Sequence, residues 1–171
     1  NADFLERLVK IMQSKPECGI ASGVTPNADC VYKKSNKGIR PVINELKIGE
    51  DGNLAKLGDD CGVLYMVDEV LPAHHFRSNA LIRREVIDKG IRYPFGLSNV
   101  SFHEELWFSC NTLLMGYKIF IDTGAIAWHA QCLSGGVRAS PEQYAKCVEM
   151  DRQTTRNWIK NNKDKILEVL L

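Results

Sequence analysis

Glu104 and Glu105 are adjacent carboxylates at the start of a stretch with helical apolar spacing, a placement suited to proton transfer. A hydroxyl is a poor nucleophile until a carboxylate takes its proton as the new bond forms. At a helix N-terminus the macrodipole favours the ionised carboxylate, so one member of the pair can act as base while the other orients the loop. The plainer reading is that two glutamates complement a helix start. His129 follows Trp128 at the end of a strand-like run, and a single histidine more often packs than ligates. His74 and His75 are adjacent, so in extended chain they point apart and do not chelate together. Trp107 and Phe108, directly after the acidic pair, suit ring stacking on a ligand or, more simply, the core. Arg77 and Asn79 carry groups that reach substrate hydroxyls or water equally well.

These residues need elements to position them. Phe4, Leu5, Leu8, Val9, Ile11 and Met12 recur at helical spacing, with Asp3 as N-cap and Pro16 as stop. Residues 18–24 are short, apolar and bounded by Pro16 and Pro26, which predicts a buried strand. From 27 to 60 the chain is polar and Gly-, Asn- and Lys-rich, an excursion or hairpin with its turn at Asp51-Gly52. A strand over 63–70, a short helix over 78–87 and a loop over 90–101 follow. The spacing next predicts a helix over 104–115 ending at Gly116, then strands over 117–121 and 125–128 about a turn at Asp122-Thr123-Gly124. Ser140-Pro141-Glu142-Gln143 opens a final helical region expected to break near Asn161. Helix and strand in alternation imply an α/β fold, with 19–24 and 63–70 neighbours in one mixed sheet and the helix from Glu104 across it.

The composition narrows the class. The chain has 171 residues, 44% hydrophobic and 25% charged, with Lys+Arg 22 against Asp+Glu 21. So small a net charge disfavours a nucleic-acid partner, and the Lys33-Lys34 and Lys160, Lys163, Lys165 clusters read as solvated faces. The longest apolar stretches fall far short of the roughly 20 residues that span a bilayer. The six cysteines show no CxxC and no zinc-type spacing, which predicts free thiols in a reducing cytoplasm. The chain opens on Asn1 directly into a helical pattern, as though it continues from a longer protein.

From Phe76 to Gly136 the sequence resembles GT-A fold, family 2-type inverting glycosyltransferases. The segment Ser78-Asn79-Ala80-Leu81-Ile82-Arg83-Arg84-Glu85, the acidic pair Glu104-Glu105, the helix end Gly116-Tyr117-Lys118 and the strand from Ile119 to His129 carry the likeness. The resemblance implies an incomplete GT-A, Rossmann-like domain: a mixed sheet flanked by helices, residues 1–139 on the acceptor side and 140–171 a C-terminal helical extension. The nucleotide-binding half and its Asp-Xaa-Asp motif would precede this chain; Asp59-Asp60 lies on the wrong side of the first helix and strand, and reads as a solvated turn.

The implied reaction moves a sugar, with inversion, from a nucleotide-sugar donor to a glycan, lipid or protein acceptor. In the complete enzyme Mn²⁺ or Mg²⁺ would assist, and the chain by itself is expected to be inactive. Glu105 falls where such enzymes carry the catalytic base and Glu104 on the acidic residue before it. His129 falls on a histidine that completes the coordination of the metal or lines the diphosphate site, and Arg138, after Ser134-Gly135-Gly136, on a loop that closes over the donor phosphates. Arg77, Asn79 and Trp107 are the remaining substrate-binding candidates. The expected compartment is the cytoplasm, with membrane association only through segments outside this chain, and a homo-oligomer is compatible. Three departures stand out, because the pattern commonly has Gly at His103, Asp at Glu105 and Arg at Asn111. They leave open an alternative, a non-catalytic carbohydrate-binding or scaffolding module derived from this fold.

Overall fold

The computed structural model describes residues 2–24, 45–49, 54–57, 68–76, 79–127 and 139–170. Its centre is a four-stranded mixed sheet, built from β1 (Cys18–Val24), β4 (Val70–Ala73), β5 (Ala80–Ile82) and β6 (Lys118–Ile126) in the order β4-β6-β1-β5. β1 runs parallel to β6 and antiparallel to β5, while β4 runs antiparallel to β6. A strand covered on both faces reads as a continuous apolar run, and β1 is buried from Cys18 to Gly23.

Helices cover both faces. α1 (Phe4–Ser14) lays Leu8 and Ile11 on Cys18, Ala21, Phe120 and Ala125. On the other face Val86 of α2 (Arg84–Asp88) and Phe108 and Leu113 of α3 (Glu104–Leu114) meet Ile20, Ala73, Ile119 and Ile121. Cys18 and Ile20 face opposite ways although two residues apart, because the ladder slips between them: Cys18 pairs with Lys118 and Ile20 with Ile119. Gly19 is the extra residue, and a Cβ there would stand 2.7 Å from Tyr117 Cβ and 2.9 Å from Thr112 Cγ2. At the end of α1, Arg83 donates to the carbonyls of Met12 (2.7 Å), Lys15 (3.1 Å) and Cys18 (2.6 Å), satisfying acceptors that the helix leaves open.

Outside these layers, β2 (Glu45–Ile48) and β3 (Leu54–Leu57) pair antiparallel on either side of the Asp51-Gly52 turn signal. α4 (Pro141–Leu170) packs on α3: Trp158 stacks on Trp107 at 4.6 Å, and Trp107 Nε1 donates to Thr155 Oγ1 at 3.1 Å. Its start has both halves of a capping box, Gln143 N–H to Ser140 Oγ at 3.2 Å and Ser140 N–H to Gln143 Oε1 at 3.0 Å. No helix among the described residues is long and apolar enough to cross a membrane.

Several expectations are corrected. β1 and β4 share the sheet but are not neighbours, because β6 lies between them. The strand expected over 63–70 begins only at Val70; residues 61–67 lie outside the described residues. The helix expected over 78–87 divides into β5 and α2. Asn79 has φ 71, a left-handed conformation that no helix continues, and the free edge of β1 supplies a ladder for Ala80–Ile82. The turn at Asp122-Thr123-Gly124 is a bulge inside one strand, since Gly23 pairs with Asp122 and Val24 with Ile126. There the Asp122 carboxylate accepts from Gly124 N–H (2.8 Å) and from the Arg7 guanidinium (2.8 and 2.9 Å). Asp3 makes no capping hydrogen bond and instead lies 3.7 Å from Arg7. α4 does not break at Asn161, because Asn162 Nδ2 returns a hydrogen bond to Trp158 O at 2.8 Å and Ile159 and Ile166 remain buried.

Candidate functional site

α3 is 11 residues long, about 16 Å at 1.5 Å per residue, and only Met115 to Tyr117 join it to β6. With Phe108 and Leu113 packed on Ile119 and Ile121, so short a connection sends the helix back along the strand. Its N-terminus, with Glu104 and Glu105, therefore lies toward the C-terminal ends of the parallel pair β1 and β6. Asn79 stands at that end too, where its carbonyl accepts the Ser22 hydroxyl at 3.3 Å.

Burial pushes the Glu104 carboxyl above its ordinary value, the neighbouring Glu105 charge adds to this, and a hydrogen bond from Ser101 opposes both. Tyr93, in the loop before α3, has its ring 4.9 Å from that of Phe108. Its hydroxyl is likewise pushed up, first by burial and then by the charges of Glu104 and Glu105, although the residue is 46% exposed. A phenol, two carboxylates and a serine hydroxyl thus gather at the first turn of α3. The approach to that turn is left-handed twice, at Ser101 (φ 52) and His103 (φ 75), and the His103 ring lies tilted against that of Phe102 with centroids 4.1 Å apart. Glycine adopts φ 75 without a steric penalty, so a histidine held in this conformation depends on its surroundings to fix it.

The first turn is also tied from beneath. Ser109 Oγ donates to Glu105 O (2.7 Å), lies 3.2 Å from His75 Nδ1 and accepts from Phe76 N–H at 3.4 Å. With its one proton given to Glu105, the serine must accept from His75, so Nδ1 carries the hydrogen. His74 faces elsewhere and accepts from Leu46 N–H at 3.3 Å. Trp107 has a ring face and its N–H engaged by α4, and Phe108 is core. Asn111 Nδ2 folds back to Trp107 O at 3.0 Å.

The structure thus brings together Glu104 and Glu105, with Asn79 at the same end of the sheet. Arg77, His129, Arg138 and Asp59-Asp60 lie outside the described residues. Among the described residues no group of three His, Cys, Asp or Glu side chains could hold a metal ion, and two glutamates do not make a metal site. The described cysteines Cys18, Cys110 and Cys147 are free thiols, and burial pushes Cys110 up to about 12.

Sequence reasoning missed Tyr93 and Asp151. Asp151 had a signal, since it falls on the stripe Val148, Asp151, Thr155 and Ile159 that α4 buries. A carboxylate at an apolar-stripe position requires partners. Comparison with protein-family models, curated proteins and solved structures returns no match for the chain.

The raised Glu104 carboxyl has a consequence for stability. The folded chain holds this proton more tightly than the unfolded one, so stability falls as pH rises from the ordinary value of 4.5 through the folded value. Glu104→Gln keeps a hydrogen-bonding side chain without the charge. It is expected to be more stable than the parent at pH 7.5, with the difference vanishing below pH 4.5. Urea unfolding at the two pH values checks this, and an equal difference at both would count against it.

Proposed function

We propose that this chain is the acceptor side of a nucleotide-sugar-dependent, inverting glycosyltransferase, with Glu105 as the general base. The observation that carries the reading is the acidic pair on the first turn of α3, toward the C-terminal ends of β1 and β6. In open α/β sheets that end is where ligands bind. The resemblance from Phe76 to Gly136 supplies the reaction class, and the pair supplies the chemistry.

Glu105 accepts the proton of the acceptor hydroxyl as its oxygen bonds to the anomeric carbon from the face opposite the leaving group. The bond from that carbon to the nucleoside diphosphate breaks with its electron pair on the diphosphate. A divalent cation, when bound, stabilises the charge on the departing diphosphate. Glu104, whose backbone N–H donates to Ser101 O at 3.1 Å, holds the loop against the helix, and Asn79 and Tyr93 border the acceptor. Arg77 and Arg138 complete the substrate contacts, and His129 the metal site, in the same reading.

The test is transfer from a panel of labelled sugar nucleotides with Mn²⁺, using the natural full-length protein and a mixed glycan and lipid acceptor pool. Transfer of label with inverted configuration supports the proposal. Glycan binding without transfer from any donor overturns it in favour of a carbohydrate-binding module.

A further inference from the structure

We infer that Asp151, on α4, is a positioning residue for the Glu104–Glu105 pair, fixing from a neighbouring helix the loop from which α3 starts. Its kinetic consequence rests on the glycosyl-transfer reading; its structural part rests on geometry.

Asp151 is 0% exposed, and donors from one short stretch of loop surround it. Its Oδ1 accepts Ser98 N–H at 2.6 Å, and its Oδ2 accepts Ser98 Oγ–H and Phe102 N–H, each at 2.8 Å. A buried carboxylate is costly unless hydrogen bonds satisfy it, so loop and helix hold each other in one geometry. From Ser98 the chain of contacts continues to the acidic pair. Ser98 O accepts Ser101 N–H at 3.0 Å, and Ser101 O accepts Glu104 N–H at 3.1 Å. The Ser101 hydroxyl donates back to Ser98 O at 3.2 Å, so the turn that presents Glu104 is closed by side chain as well as backbone. The left-handed backbones at Ser101 and His103 persist only when their surroundings determine them, and the Asp151 anchor lies directly before and between them. On the far side the Arg152 guanidinium sits 5.3 Å from the Phe102 ring centre. Apolar packing could bury this loop, but a carboxylate with both oxygens engaged also sets its distance and direction.

The experiment compares full-length wild type with Asp151→Asn and Ser98→Ala. Asparagine replaces one acceptor oxygen by an NH₂ that cannot receive a loop N–H, whereas Ser98→Ala removes the serine hydroxyl and leaves both main-chain bonds. Two readouts are taken, the ¹³C titration of the Glu104 carboxyl and steady-state transfer with Mn²⁺. In wild type Glu104 titrates above the ordinary range; in Asp151→Asn it returns toward that range, because the loosened loop hydrates it. The kcat falls about 10²-fold, the scale of a misplacement of about 1 Å, while donor KM stays within about twofold. Ser98→Ala lies between, and decides by the same readouts if Asp151→Asn does not fold. An unchanged Glu104 titration in a folded variant overturns the inference, as does a loss that falls on donor KM. Absence of transfer by wild type refutes the glycosyl-transfer reading instead, and the titration then decides the positioning role.

Discussion

Glu105→Gln is expected to lower kcat for sugar transfer by about 10²- to 10⁴-fold, the usual contribution of a positioned general base. Glutamine keeps the shape of the side chain and removes only its ability to accept a proton. Donor binding, measured by titration with the sugar nucleotide, should therefore survive. Glu104→Gln should lose far less, since the loop is tied to α3 by the bond from Glu104 N–H to Ser101 O, which the substitution leaves in place. The contrast between the two variants carries the assignment, because a general effect of removing charge from the first turn would strike both equally. Equal activity in wild type and Glu105→Gln would reject the base. The departure from the common aspartate makes a third variant informative: Glu105→Asp moves the carboxylate back by about one bond length, and reacting groups are sensitive to shifts of about 1 Å. If the acceptor sits to suit the longer side chain, Glu105→Asp is slower than wild type although it restores the common residue.

The parts of this site that could be read from the sequence are those set by local chemistry. α1 and α3 follow apolar spacing, Gly116 ends α3 with φ 81, and Ser140 with Gln143 forms the capping box that opens α4. β1 declared itself by an uninterrupted apolar run between prolines. What was not legible depends on partners distant in sequence. Ala80–Ile82 has helix-compatible spacing and becomes a strand only because β1 offers an edge. Asp122, Thr123 and Gly124 have the composition of a turn and do bend the chain, but Arg7 and Glu69 hold them within β6 as a bulge. The order of the sheet was inaccessible for the same reason, since nothing in β1 or β4 specifies that β6 comes between them.

The acidic pair divides along the same line. Its place at a helix start is a local fact, and the sequence shows it. The orientation of that start depends on Asp151, some fifty residues later in the chain, on a helix that reads as a separate extension. A buried acid on an apolar stripe announces that partners exist without saying where they are. Tyr93 gave no signal, because an aromatic in a Gly- and Pro-punctuated loop has no periodicity to place it.

Phe108→Ala should have the largest effect on stability, about 3–5 kcal/mol, the range for truncating a buried phenylalanine. Phe108 is 1% exposed and meets Phe76 edge-on at 6.2 Å and Tyr93 at 4.9 Å, so its removal leaves a cavity that helix and sheet cannot both close around. The neighbouring residue provides the control. Trp107→Phe retains an aromatic surface against Trp158 and gives up the indole N–H to Thr155, a net loss of about 1 kcal/mol for one hydrogen bond. Urea unfolding of the two variants should therefore rank Phe108→Ala well below Trp107→Phe, with similar m-values if both unfold in one step. Because Phe108 lies one helical turn beyond Glu104 and supports the Tyr93 ring, Tyr93 should also become more mobile in Phe108→Ala, visible as a narrowed tyrosine ring resonance. A cost under about 1 kcal/mol for Phe108→Ala would mean that the floor beneath the acidic pair is not packed as described, since truncating a large side chain to alanine in a filled core costs at least about 2 kcal/mol.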